Sequence, residues 1–278
     1  MTQLDIFKKE FSEDSFENKS RENGFTHWYA SDLMDMLSYT SWSSFMRPLN
    51  KAIQVCNSLG IPIMDNFIQV INDLNGKKND DYKLSRFACY LIVMNSDIKK
   101  PVVANAQAYF AGLAGAIHDY IEETQKIERV IIRDEISEHE KSLSGIVKKS
   151  GVLNYAFFQN AGYRGMYNMN MSSLKQYRGL NKDQSLLDFM GGTELAANLF
   201  RITQTSEKIK NENITGQDML EKVHENIGKK IRNTMKEISG TLPEQLPKEE
   251  NIKNVKKGLK TTNKTFQAID KKKKSNKK

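Results

Sequence analysis

The chain has 278 residues, 38% hydrophobic and 27% charged, with a formal net charge of +8. That composition is globular and suits one large or two small domains, and it argues against a membrane protein, because the longest apolar run, Phe87 to Met94, falls far short of the ~20 residues a spanning helix needs. The first ten residues lack an apolar h-region, so no secretory signal is expected, and Cys56 and Cys89, without CxxC spacing, read as core thiols of a reducing compartment.

In chain order, residues 1–22 mix phenylalanines with charges and read as a mobile arm or a short helix. A small mixed domain is expected over 23–115. Within it the aromatic run Gly24 to Tyr29 predicts a strand, and Ser31 stands where it can N-cap a helix bearing Leu33, Met34 and Leu37. A second helix is expected from Trp42 to Leu59, closed by Gly60 with Pro62 beyond it. Phe67 to Ile71 predicts a strand, Asn75-Gly76 a hairpin turn, and Asp80 to Tyr82 the return strand. From Leu84 the pattern turns helical, and Phe87 to Met94, apolar on all sides, predicts a buried helix. Pro101 suits the first turn of the next helix, which is expected to run past Leu113.

A long connecting helix is expected over 116–150. Its residues Ile117, Tyr120, Thr124, Ile127 and Ile131 predict either a homodimer seam over 117–131 or packing on the chain's own domain. Gly145 and Gly151 bracket a break before a helical C-terminal domain over 151–245. Its helices are capped at Asn170 or Ser172, at Thr193 and at Thr215, and Gly240 ends the last. Residues 246–278 hold many lysines and little apolar surface, which predicts a disordered basic tail. The fold class expected is α+β and mostly helical.

Charge is distributed unevenly. Residues 1–140 balance at −6, 141–182 at +7 without a single acid, 183–250 at −3 and 251–278 at +10. Two basic segments on an otherwise acidic chain point to polyanion binding at two places. In the first, Lys148, Lys149, Arg164, Lys175 and Arg178 are candidate phosphate contacts. Tyr163 and Tyr167 are candidates for stacking on unpaired bases, worth ~1–3 kcal/mol per base. The competing reading places the aromatics in the second domain's core, and it is the simpler one for Phe157 and Phe158. In the tail, Lys271, Lys272, Lys273 and Lys274 are candidate phosphate contacts that read no bases. The four histidines are dispersed, and HExxH, GxGxxG, Walker and GxSxG patterns are all missing, so neither enzyme, metal nor cofactor is expected.

Several blocks resemble the bacterial DNA-damage-inducible protein D family. In the first half they are Trp28-Tyr-Ala-Ser-Asp-Leu33, Asp81-Tyr-Lys-Leu-Ser-Arg-Phe-Ala-Cys-Tyr-Leu91 and Ala106-Gln-Ala-Tyr-Phe-Ala111. In the second they are Phe158-Gln-Asn-Ala-Gly-Tyr-Arg-Gly-Met-Tyr167, Met190-Gly-Gly-Thr-Glu-Leu-Ala-Ala-Asn-Leu-Phe-Arg201 and His224-Glu-Asn-Ile-Gly-Lys-Lys-Ile-Arg232. Ser38 departs from the family pattern, which usually has Gly there. The first domain also looks like the Bro-N module of antirepressor-like proteins, an α+β DNA-binding unit.

The resemblance implies a bacterial cytoplasmic, nucleoid-associated protein of the SOS response. It would act on single-stranded DNA or on the recombinase filament there, without established catalytic residues. Two alternatives stand beside that reading. One is a Bro-type transcriptional regulator reading duplex DNA, against which the −6 balance of residues 1–140 weighs unless Arg47, Lys51, Lys77 and Lys78 cluster. The other is a nuclease or effector enzyme with an unrecognised site.

Overall fold

The computed structural model describes residues 11–74, 77–114 and 120–276. Its contacts divide the chain into two compact units, residues 1–131 with 255–278, and residues 132–254.

The first unit begins with helix α1 (Glu13–Asn18), fixed by a reciprocal Ser12–Ser15 capping box. Described residues of the expected mobile arm are therefore docked, with Phe11 and Phe16 buried. Strands β1 (Arg21–Asn23), β2 (Phe25–Tyr29), β3 (Phe67–Leu74) and β4 (Lys77–Leu84) form an antiparallel sheet in the order β1-β2-β4-β3. Trp28 stacks on Phe16 at 4.4 Å, and its indole N–H donates to the Phe16 carbonyl. The expected turn at Asn75-Gly76 lies outside the described residues.

Helix α2 (Ala30–Met36) starts earlier than expected. Ser31 does not cap it; the Ser31 backbone N–H and hydroxyl both donate to the carboxylate of Asp81 on β4. Asp81, expected only as part of the return strand, thus anchors the helix's first turn from β4. Ser38 follows at φ 54°, in the left-handed region that favours glycine. Helix α3 (Trp42–Leu59) matches its expected limits, with Ser41 capping the start and Gly60 at φ 62° closing the end. Every residue of helix α4 (Arg86–Met94) is buried, the arrangement its all-round apolar sequence requires. Helix α5 (Pro101–Leu113) packs beside it and stops sooner than the sequence suggested.

The thirty-residue helix α6 (Tyr120–Lys149) carries Gly145 inside it and breaks only at Gly151. Ile127 and Ile131, the described isoleucines of the proposed dimer seam, are buried within the chain itself. Among the described residues, then, that seam offers no exposed isoleucine to a second copy.

The second unit is helical: α7 (Tyr155–Tyr167), α8 (Met171–Tyr177), α9 (Gly192–Asn211) and α10 (Gln217–Ser239). Asn170 caps α8 as expected, while α9 opens at Gly191, ahead of Thr193, and α10 at Gly216, one residue after Thr215. Helices α7 and α10 meet on glycines. A Cβ at Gly165 would lie 2.0 Å from the Glu225 carbonyl oxygen, and one at Gly228 would lie 2.8 Å from the Gly162 oxygen.

The expected disordered tail is instead helix α11 (Ile252–Asn276). Val255, Leu259, Asn263 and Phe266 recur every three or four residues and are buried, so a helical stripe holds what bulk composition hides. Phe266 packs against Phe87, Tyr90 and Phe110, and Asp270 pairs with the fully buried Arg86.

Candidate nucleic-acid interface

The acid-free segment 141–182 divides into a buried half and an exposed half. Tyr163 and Tyr167, expected to stack on bases, lie in the core and stack on each other at 5.7 Å. Their i,i+4 spacing puts both on the inward face of α7. Arg178 is buried as well. Its guanidinium grips Glu194 through two hydrogen bonds of 2.7 and 3.0 Å and donates a third to the Pro243 carbonyl. Neither tyrosine can present a ring to a base, and Arg178 is committed to a carboxylate.

These side chains belong to one polar network. The Tyr167 hydroxyl donates to Glu194, and Asn198 donates to Tyr167 while accepting from Arg201. Arg201 in turn meets His224, whose Nδ1–H donates to the Phe158 carbonyl. With Nδ1 protonated, Nε2 must stay neutral to accept from Arg201. Burial, reinforced by the Arg201 charge, holds the His224 imidazole well below its usual value of 6.5.

That shift sets a sign. Below pH 6.5 the unfolded chain takes up a proton at His224 that the folded chain resists. Stability is therefore full above that pH and falls as pH drops toward the folded value, by about 1.4 kcal/mol per unit for one proton. Half-buried Glu140 and buried Glu194, pushed upward by desolvation, act in the opposite sense. Urea unfolding at pH 7.5 and 5.5 should show a smaller acid loss in His224→Gln than in the parent. Identical pH dependence would contradict the neutral assignment.

The remaining basic candidates are outside the core. Arg164 is 43% exposed and pairs with Glu221 and Glu225, which leaves its charge partly answered. Lys175 donates to the Lys182 carbonyl. Lys148 and Lys149, on the last turn of α6, are exposed. Lys271 is exposed on α11, while the side chains of Lys272, Lys273 and Lys274 fall outside the described residues.

Sequence reasoning missed an exposed aromatic residue close in sequence to Lys148 and Lys149. Gly151, at φ 96°, turns the chain out of α6, and Asn154 caps α7 by accepting from the Ala156 and Phe157 N–H groups. The Gln217 side chain clamps the connection, accepting from the Leu153 and Asn154 N–H groups and donating to the Asn154 carbonyl. On this fixed turn Phe157 is 59% exposed and Leu153 96% exposed, while neighbouring Phe158 is fully buried against His224. Sequence treated the two phenylalanines alike; one residue of helical rotation separates them.

The chain is 38% identical over 259 residues to DNA damage-inducible protein D of Escherichia coli (strain K12), an alignment covering 87% of this chain and 94% of that protein. The chain belongs to the DNA damage-inducible protein D family. Residues 121–255 match the DinD C-terminal domain, and residues 19–111 match the BRO family, N-terminal domain. In this member of the family, the turn bearing Lys148, Lys149, Leu153 and Phe157 lies wholly within the C-terminal match. No helix among its described residues is long and apolar enough to cross a membrane.

Proposed function

We propose that this chain is a non-enzymatic DNA-damage-response protein of the bacterial cytoplasm and nucleoid, acting on single-stranded DNA or on a recombinase filament assembled there. Family membership supports the damage response. One observation carries the single-strand reading: an exposed phenylalanine on a clamped turn, close in sequence to two exposed lysines, inside forty-two residues without an acid. Lysines answer phosphates, and an exposed ring stacks on bases only where they are unpaired. His224 supports the non-enzymatic part, since both its ring nitrogens are engaged in the core.

Phe157→Ala should therefore weaken binding to a labelled single-stranded oligonucleotide by ~1–3 kcal/mol per stacked base while duplex binding barely moves. Exposure of the ring predicts an unchanged melting temperature. A folded variant that binds single strands like the parent would sink the stacking site. The match to the BRO family, N-terminal domain favours a second reading, duplex binding through the first unit. Tighter binding to duplex than to single strand, indifferent to Phe157, would select it.

A further inference from the structure

Helix α11 changes the electrostatic character of the N-terminal unit. Residues 1–131 hold 14 Lys/Arg and 17 Asp/Glu, a balance of −3, and residues 255–278 add ten and one, bringing that unit to +6. The acidity that weighed against DNA binding by the N-terminal half is thus reversed within the unit by a segment from the other end of the sequence.

The described part of the added charge is ordered. Docking of Val255, Leu259 and Phe266 orients the helix, and Lys256 ties it further by donating to the Ser58 carbonyl. Lys257, Lys260, Lys264 and Lys271 are then exposed. At 3.6 residues per turn they share an arc of about 60° and form a row about 21 Å long. Asp270, the lone acid of residues 251–278, is held by Arg86. Elsewhere some helical lysines are paired with acids, as in Lys208–Glu212 and Lys229–Glu225. Lys257, Lys260 and Lys264 stand at i,i+3 and i,i+4 spacing on α11, a like-charge arrangement that destabilises a helix and is relieved by a polyanion.

We infer that α11 is the phosphate-binding edge of the N-terminal unit, a row of lysines that holds a nucleic-acid backbone without reading its bases. This is a second contact, independent of Phe157. A nucleic acid fits better than an anionic membrane because Val255, Leu259 and Phe266 of α11 are buried and Ile269 is half-buried, while its exposed residues among those described are lysine, threonine, glutamine, asparagine, glycine and alanine. Insertion into a bilayer needs an exposed apolar face.

The test uses the full chain with Lys257, Lys260 and Lys264 all changed to Ala, titrated with single-stranded and duplex oligonucleotides of one sequence across a range of salt. Each lost contact should flatten the log–log salt slope by ~0.7 on single strands and ~0.9 on duplex. The three together should flatten it by about 2 and about 3, with the melting temperature unchanged. Unaltered slopes on both forms in a folded variant would overturn the inference. So would intact DNA binding with lost adsorption to phosphatidylglycerol vesicles, which would assign the row to a membrane. Phe157→Ala, run alongside, separates the two sites. If it abolishes single-strand preference while the lysine variant behaves like the parent, the stacking turn stands and the phosphate edge fails.

Discussion

Arg86→Ala should destabilise the N-terminal unit by about 3–5 kcal/mol, the cost of breaking a buried ion pair and stranding its partners. The Arg86 side chain has no solvent exposure. Its guanidinium is bound by Glu17 on α1 and by Asp270 on α11, and it lies 4.6 Å over the Trp28 ring. Burial opposes the charge, and hydrogen bonding and attraction from the two carboxylates more than restore it. Glu17 also accepts from the Tyr109 hydroxyl, so one arginine gathers both ends of the described chain onto α4 and α5. Arg86→Met, which keeps bulk and loses charge, should cost nearly as much. Adding Glu17→Gln and Asp270→Asn to it should recover part of the loss, because no uncompensated carboxylate then remains. Urea unfolding of the three variants measures this. A loss below about 1 kcal/mol in Arg86→Ala would mean that the node does not hold α1 and α11 in place.

Gly165→Ala should damage the second unit at least as severely. Overpacking a core usually costs ~1–3 kcal/mol because side chains move aside. Here the new methyl meets the backbone carbonyl of Glu225 at 2.0 Å, so only separation of α7 from α10 can make room. That separation would disturb the Arg201–His224 contact, which lies against Gly162 on the same seam. The expected result is a loss at or beyond the top of that range. Gly145→Ala provides the contrast. It sits inside α6 with nothing within 4 Å of the added carbon, so it should stabilise by ~0.4–1 kcal/mol. Near-parental melting of Gly165→Ala would show that the two helices can slide apart cheaply.

Features fixed by local chemistry could be read from the sequence. The limits of α3 follow from Ser41 and Gly60, and the burial of α4 follows from eight successive apolar residues. What escaped depends on partners far along the chain. Asp81 anchors α2 from fifty residues away, and Tyr167 and Arg178 lie inside because Glu194 and Asn198 receive them there. The tail misled through averaging: eleven lysines among its last twenty-eight residues conceal Val255, Leu259 and Phe266, whose spacing is helical. For the candidate interface, Lys148 and Lys149 were legible as exposed cations. Phe157 was not, because its exposure depends on how Gln217 and Asn154 set the first turn of α7.

Direct titration of the unmodified chain against single-stranded and duplex oligonucleotides of equal length, at two salt concentrations, bears most closely on the proposed role. Contacts from lysines predict binding to both forms that weakens as salt rises, and an exposed stacking ring predicts tighter binding to the single strand. No binding to either form at low salt, or equal affinity for both at every salt concentration, would contradict a protein that acts on single-stranded DNA.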